Sequence, residues 1–238
     1  MKTIGLLGVM SWESTLGYYK SINEGVRNAL GGLHSAEIVM YSVDFEPIEK
    51  LQHAGDWDGA VEILSEAAKS IQAAGADFFL ICTNTMHKIA PEIDAAVQIP
   101  LLHIADATAE ILIEEGVETV GLLGTAFTME QDFYKGRLTN NYGLQVLVPG
   151  ETDREIVHNI IYKELCVGKV EATSKAEYLR IISALQAQGA EAVILGCTEI
   201  GMLVNQADTD VRLLDTTAIH AAKAVEYATQ QAIGSEPI

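Results

Sequence analysis

The sequence predicts an α/β protein of two pseudosymmetric lobes, each a mostly parallel four-stranded sheet flanked by helices. Each half of the chain alternates short apolar runs with amphipathic stretches, which is typical of βαβ units. Three internal matches, in the same order and at nearly one offset, indicate a duplicated unit of about half the chain. They are TIGLLG (3–8) with TVGLLG (119–124), IQAAGADFFLI (71–81) with LQAQGAEAVIL (185–195), and IPLLHIADATA (99–109) with VRLLDTTAIHA (211–221).

The first half contains four nearly continuous apolar runs, which suit strands buried on both faces of a parallel sheet. An amphipathic stretch between the second and third runs predicts a helix that begins at Asp56 and ends just before Gly75, since Asp favours a helix start and Gly a helix stop. The runs are TIGLLG (3–8), EIVMYSV (37–43), DFFLIC (77–82) and PLLHI (100–104).

The second half repeats this pattern. A helix is predicted to begin at Thr173 or Ser174 and to end before Gly189, on the same start and stop signals. The four apolar runs of this half are TVGLLG (119–124), LQVLV (144–148), AVILG (192–196) and VRLL (211–214).

Domain boundaries are predicted from the least regular joints, at 97–101 and 205–211, because no Pro-, Gly- or Ser-rich linker separates the halves. The third repeat follows each joint, so each half is expected to lend its final strand and helix to the other lobe. We therefore predict a first lobe of 1–98 plus 209–238 and a second lobe of 99–208, with the active site in the cleft between them. The tail at 234–238 is expected to be disordered.

Composition excludes several classes of partner. The 238 residues include 15 basic and 33 acidic side chains, a formal net charge of −18, which argues against nucleic acid or an anionic membrane surface. No apolar run approaches the roughly 20 residues of a membrane span, and the N-terminus lacks the features of a signal peptide. Three cysteines, an odd and sparse set, indicate reduced thiols in the cytoplasm.

The candidate site follows from the strand ends, since ligands of parallel sheets bind beyond the carboxyl ends of the strands. Thr83 follows the run at 77–82, Cys197 follows the run at 192–196, and the repeat aligns the two positions. If the lobes pack with two-fold pseudosymmetry, this hydroxyl and this thiol would face each other. A thiol where a strand turns into a helix is expected to have a lowered pKa and to serve as base or nucleophile. The competing interpretation is that Cys197 is a small buried hydrophobe.

Other reactive side chains are assigned structural roles. Cys82 ends an apolar strand and is expected in the core, Cys166 is expected to pack in an amphipathic stretch, and His87 is expected beside the site or on the surface. Neither first-strand loop carries a phosphate-binding pattern, and HExxH, CxxC and GxSxG are absent. The six histidines show no metal-ligand spacing. The sequence therefore predicts no nucleotide, metal or other cofactor.

The segments LLGVMSWEST, CTNTMHK, LLGTAFTM and GCTEIG together resemble the aspartate/glutamate racemase family over essentially the whole chain. The resemblance implies cofactor-independent racemisation, in which one group removes the α-proton of an amino acid and another returns a proton on the opposite face. Members of that family usually carry a Cys at both equivalent strand ends. Here Thr83 stands at the first position and Cys197 at the second, so we expect a strong and a weak partner.

The resemblance also implies a set of substrate-binding residues. The loop after the second strand offers Gln52 and Lys50 where aspartate racemases often have an Arg, so a preference broader than aspartate is expected. Hydroxyls and main-chain N–H groups would bind the α-carboxylate. The expected binding residues are Met10, Ser11, Gln52, Asn84, Thr85, Thr125, Thr198 and Glu199.

Two alternatives stay open at this point. A decarboxylase or isomerase of the same superfamily would keep a single thiol, as this chain does. A non-catalytic amino-acid-binding protein would also have two α/β lobes around a cleft. In each case the predicted partner is a small amino acid, not nucleic acid or membrane, and a homodimer is an open option.

Overall fold

The computed structural model describes residues 1–10 and 12–233. Ser11 and the tail at 234–238, for which disorder was predicted, lie outside the described residues. The chain separates into two compact units. The first comprises Met1–His103 with the described part of His220–Ile238, and the second comprises Ile104–Ile219.

The first unit is a parallel sheet of order β2-β1-β3 with helices on both faces. Within the described residues, the fourth predicted strand contributes one parallel bridge, between Phe79 and Leu101, so this sheet has three strands there where four were predicted. Its elements are β1 (Ile4–Gly8), α1 (Trp12–Leu30), β2 (Ile38–Ser42), α2 (Phe45–Ala54), α3 (Trp57–Ala73), β3 (Phe78–Ile81), a 3-10 helix (Thr85–Ile89) and α4 (Ala90–Ala95).

Alternating side chains of β1 and β3 fill two separate cores. Leu7, Phe79 and Ile81 pack with α2, α3 and α4 on one face. Ile4, Leu6 and Leu80 pack with α1 and the last helix on the other. The predicted helix start at Asp56 is confirmed, since its side chain accepts the N–H of Gly59 at 3.0 Å.

The second unit is a parallel sheet of order β5-β4-β6-β7. The helix predicted to begin at Thr173 or Ser174 begins at Ala172. The hydroxyl of Ser174 does not cap this helix, because it donates to Glu164 at 2.6 Å. Its elements are α5 (Ile104–Glu114), β4 (Thr119–Gly124), α6 (Ala126–Glu130), α7 (Asp132–Tyr142), β5 (Gln145–Leu147), α8 (Glu151–Lys163), α9 (Ala172–Ala187), β6 (Ala192–Gly196), β7 (Arg212–Asp215) and α10 (Thr216–Ile233), with short 3-10 helices at Leu165–Val167, Ile200–Met202 and Gln206–Asp208.

The final strands and the final helices of the two halves pack differently. β7, placed in the first lobe by the predicted boundaries, pairs with β6 of its own half, and Leu101 likewise bridges β3 of its own half. In contrast, α5 packs on β4 and β6, and α10 packs on β1 and β3. A strand needs a hydrogen-bonding neighbour along its whole length, whereas a helix needs only an apolar surface for one face.

Helices pack on both faces of β1 and β3 and against β4 and β6, as continuous apolar strands require. The end of the edge strand β2, at Met40–Ser42, is exposed. Within the described part of the chain, no helix combines the length and apolar character needed to cross a membrane.

The buried side chain of His220, in α10, hydrogen-bonds to α1 and to Leu102, the residue after the bridge at Leu101. His220 is fully buried, and its Nε2–H donates to the carbonyl oxygen of Leu102 at 2.8 Å. Its Nδ1 therefore accepts the Tyr18 hydroxyl at 2.9 Å. Burial, with a smaller effect of His87, lowers the pKa of His220 from 6.5 to about 3. The ring is thus neutral at neutral pH.

Acid should destabilise the protein through this ring. Between pH 6.5 and about 3 the unfolded state binds a proton at His220 that the folded state does not. The stabilisation of the folded state by the neutral His220 ring is therefore intact above pH 6.5. Below pH 6.5, the free energy of unfolding falls by up to about 1.4 kcal/mol per pH unit. Urea titrations of wild type and His220→Gln should show a shallower pH slope in the variant, whereas His34→Gln, at an exposed position, should match wild type. Equal slopes in all three would contradict this role.

Candidate active site

The first half of the candidate site is the turn after β3. Cys82 is fully buried in the core between the sheet, α1 and α10, which confirms its predicted structural role. Burial raises the pKa of its thiol, so Cys82 is inert. Thr83, Asn84 and Thr85 are no more than 2% exposed. The Thr83 hydroxyl donates to the sulfur of Met10 at 3.7 Å, so the structure brings these two predicted residues together.

A histidine cluster supports this turn. The Nδ1–H of His87 donates to the carbonyl oxygen of Thr83 at 2.7 Å. The His87 ring packs edge-on against His103, with ring centroids 4.4 Å apart, and lies 6.1 Å from the ring of His220. His87 is therefore buried beside Thr83 and not on the surface. Sequence reasoning did not single out His103 or His220, although His103 lies within the last apolar run of its half.

The predicted specificity residues on α2 differ sharply in environment. Gln52 is 2% exposed. Lys50 is exposed and forms an ion pair with Glu46, with 2.7 Å between Nζ and Oε1. The buried polar group of this helix is therefore a neutral amide and not a cation.

In the second unit, Thr125 and Cys197 follow two adjacent strands that end in register, at Gly124 and Gly196. Thr125 is fully buried and caps α6, because its hydroxyl oxygen accepts the N–H of Thr128 at 3.3 Å. The next N–H, that of Ala126, donates to Nδ1 of His158 at 3.1 Å. His158 was not identified from the sequence.

Cys197 and Thr198 donate to the same carboxylate oxygen. The Cys197 sulfur and the Thr198 hydroxyl each lie 2.9 Å from Oε2 of Glu199. All three side chains are buried, and Glu199 is completely inaccessible to solvent. The structure thus brings together the three residues that the sequence predicted at this strand end.

The lowered thiol pKa expected from the sequence is wrong. Burial, and after it the negative charge of Glu199, raise the pKa of Cys197 well above its ordinary value. The segment after the strand is only a three-residue 3-10 helix, Ile200–Met202, so the dipole that would stabilise a thiolate is small. Cys197 therefore rests as a thiol that donates a hydrogen bond to the Glu199 carboxylate.

A second carboxylate lies at the end of the neighbouring strand. Asp215 ends β7, in register with Leu195 of β6. Its Oδ1 accepts the N–H groups of Thr217 and Ala218, at 2.9 and 3.2 Å, and so begins α10. Burial raises the pKa of this carboxyl. Its other oxygen faces Gly201, where an added Cβ would lie only 2.6 Å from Oδ2.

One feature of the sequence points to Asp215 and His103 together. The third internal repeat aligns them: His103 lies within the fourth apolar run of the first half, and Asp215 directly follows that of the second. Among the described residues, no group of three or more His, Cys, Asp or Glu side chains is arranged to hold a metal ion.

The chain matches the model of the Asp/Glu/hydantoin racemase family over residues 7–224. It belongs to this family. A crystal structure from Yersinia pestis, provisionally named an Asp/Glu racemase, is 56% identical, with a TM-score of 0.90 over 97% of this chain and 100% of that one. An aspartate racemase homologue from Pyrococcus horikoshii OT3 is 37% identical, with a TM-score of 0.83 over 96% and 100%. The broad specificity amino-acid racemase RacX of Bacillus subtilis (strain 168) is 21% identical over 234 residues, covering 93% of this chain and 96% of RacX.

Membership of this racemase family confirms the resemblance drawn from the strand-end motifs and the prediction of an enzyme. The predicted α/β architecture with two parallel sheets flanked by helices is also confirmed. At the two strand ends that the internal repeat aligns, the chain carries a buried hydroxyl at Thr83 and a buried thiol at Cys197.

Proposed function

We propose that this family member is a cofactor-independent racemase of aspartate, glutamate or a broader set of amino acids, with Cys197 and Thr83 as its two proton-transfer groups. The observation that carries the proposal is the buried pair formed by the Cys197 thiol and the Glu199 carboxylate, 2.9 Å apart. General acid–base catalysis requires a donor and an acceptor within this range.

The thiol–carboxylate pair supplies both protonation states that racemisation needs. In one direction the resting Cys197 thiol donates its proton to the α-carbon of the deprotonated substrate. In the other, the thiol proton first moves to Glu199, and the thiolate then removes the α-proton. The second hydrogen bond to Oε2, from Thr198, also holds this oxygen beside the Cys197 sulfur.

Thr83 is the weaker partner in this proposal. Among the residues that the structure describes, its hydroxyl donates to a thioether sulfur, at 3.7 Å, and sulfur is a weak acceptor. The hydroxyl proton is thus not held by a strong competitor and can be delivered to a substrate. A hydroxyl is a poor base, however, because its pKa cannot easily be brought near neutrality.

A broad specificity is supported by Gln52, the buried polar side chain of α2, because this side chain is neutral. With Lys50 exposed in its ion pair and Gln52 buried, an acidic side chain would be recognised by an amide and not by a cation. RacX, which is named for broad specificity, is a relative along nearly its whole length. The proposed binding residues remain those predicted: Met10, Ser11, Gln52, Asn84, Thr85, Thr125, Thr198 and Glu199.

The presence of one thiol instead of two favours a second candidate, a one-thiol decarboxylase in which Cys197 protonates the carbanion left by carbon dioxide.

A cytoplasmic location and a homodimer remain predictions.

A panel of single enantiomers should decide between these functions. L- and D-aspartate and glutamate, with neutral amino acids beside them, should lose optical activity and gain one deuterium at Cα in deuterated water. The wild type should reach the same equilibrium from either enantiomer, because the two have equal free energy. Release of carbon dioxide from disubstituted malonates, without loss of optical activity of any amino acid, would support the decarboxylase instead.

A further inference from the structure

We propose that His87 with His103, and Asp215 against Gly201, are two repeat-related sets of positioning residues that hold the turns carrying Thr83 and Cys197. This inference rests on the proposed function and assigns a task to three polar side chains that the proton-transfer steps do not use, the buried His87 and His103 and the half-buried Asp215.

The internal duplication establishes the correspondence between the two sets. The offset that aligns Thr83 with Cys197 also aligns His87 with Gly201. The third repeat aligns His103 with Asp215. In each unit, the residue that the third repeat aligns therefore packs against the residue four positions beyond the proton-transfer group. The residue types differ completely, yet the contact is kept in both halves.

In the first unit the contacts form a continuous chain to the backbone of Thr83. The Tyr18 hydroxyl donates to Nδ1 of His220 at 2.9 Å, and Nε2–H of His220 donates to the carbonyl oxygen of Leu102 at 2.8 Å. The next residue, His103, presents its ring to His87. The Nδ1–H of His87 then donates to the carbonyl oxygen of Thr83 at 2.7 Å. The orientation of the Thr83 peptide thus depends on the placement of the His87 ring.

In the second unit a rigid carboxylate takes the place of the ring. Two N–H groups at the start of α10 fix Oδ1 of Asp215. The adjacent Thr216 hydroxyl donates to the carbonyl oxygen of Leu195 at 2.9 Å, which holds the end of β6. Oδ2 of Asp215 faces the Cα of Gly201, where no side chain larger than hydrogen fits without a shift. Gly201 lies in the 3-10 helix that follows Glu199, so a shift there moves the thiol–carboxylate pair.

The test must separate the two proton-transfer groups, because racemisation in either direction uses both. The 3-chloro derivatives of each substrate enantiomer make this separation possible. A base on one face removes the α-proton, the C–H electron pair forms a C=C bond, and chloride leaves with the C–Cl pair. The enamine hydrolyses to the keto acid and ammonia. Cys197→Ser identifies the enantiomer that depends on Cys197, and chloride release is the measurement.

For the first set, His87→Leu should lower chloride release from the Thr83-dependent enantiomer by about tenfold or more, since misplacement of a reacting group by about 1 Å is costly. Release from the Cys197-dependent enantiomer should change less than about twofold. The same comparison is repeated in a Thr83→Cys background, where the thiol at residue 83 should make chloride release faster and easier to measure. His87→Asn, whose side-chain N–H can replace Nδ1–H, should restore most of the loss.

For the second set, Gly201→Ala should produce the opposite selectivity, with the larger loss for the Cys197-dependent enantiomer. Asp215→Ala in the same chain removes the carboxylate that the new methyl group would meet, and should therefore reduce the effect of Gly201→Ala. Effects that simply add would show that the two residues are independent.

A second readout does not require turnover. In the Thr83→Cys background, alkylation by iodoacetamide, mapped by mass spectrometry, should change at residue 83 in His87→Leu and at Cys197 in Gly201→Ala, each without a change at the other thiol. Equal losses for both enantiomers, or equal changes at both thiols, would overturn the inference. A wild type that neither racemises nor eliminates would overturn the proposed function alone, and the alkylation pattern would still decide the positioning roles.

Discussion

Replacing Cys197 by Ser should lower the racemisation rate by about 10²–10⁴-fold, the range that one positioned acid–base group contributes. The Ser hydroxyl is somewhat smaller than the thiol but can keep a hydrogen bond to Glu199, and it cannot readily form the anion that removes an α-proton. The measurement is the loss of optical activity of the best substrate, with deuterium uptake at Cα as a second signal.

Two further variants make this result specific. Cys166→Ser introduces the same atomic change at a half-buried thiol of the same unit, and should leave the rate near that of wild type. Thr83→Cys should raise the elimination rate of the enantiomer that does not depend on Cys197, because the new group is a better base. An active Cys197→Ser enzyme would refute the assignment. No effect of Thr83→Cys would instead assign Thr83 to substrate binding.

Glu199→Gln should have two opposite effects, on turnover and on the reactivity of the thiol. Racemisation should fall by about 10²-fold or more, because an amide cannot take up the thiol proton. At the same time, Cys197 should be alkylated at a lower pH than in wild type. The negative charge of Glu199 is one cause of the raised pKa of this thiol, so its removal lowers the pKa, while burial keeps it above the ordinary value.

The pH profile of alkylation by iodoacetamide, read at Cys197 by mass spectrometry, measures the second effect. Glu155→Gln changes the net charge of the chain equally at an exposed position of α8, and should leave both the profile and the turnover unchanged. If Glu199→Gln slowed alkylation as well as turnover, Glu199 would be a structural support for the turn and not the acceptor of the thiol proton.

The sequence alone located the two strand-end motifs because the information is local. Continuous apolar runs define buried parallel strands wherever they occur, and the residue after such a run lies at the ligand-binding edge of a sheet. The duplication added the alignment of Thr83 with Cys197. Capping residues such as Asp56 placed a helix start correctly, since the hydrogen bond that stabilises the start lies within one turn.

Tertiary structure decided three features that no local pattern contains. The final strands stay with their own halves, because β7 and Leu101 need hydrogen-bonding neighbours, and only the final helices change units. His87, His103 and His220 are distant in the chain, and folding brings their rings together. The pKa of Cys197 is raised and not lowered. The sequence determined that a thiol ends this strand, but its protonation state depends on burial and on the side-chain conformation of Glu199, which exist only in the folded chain.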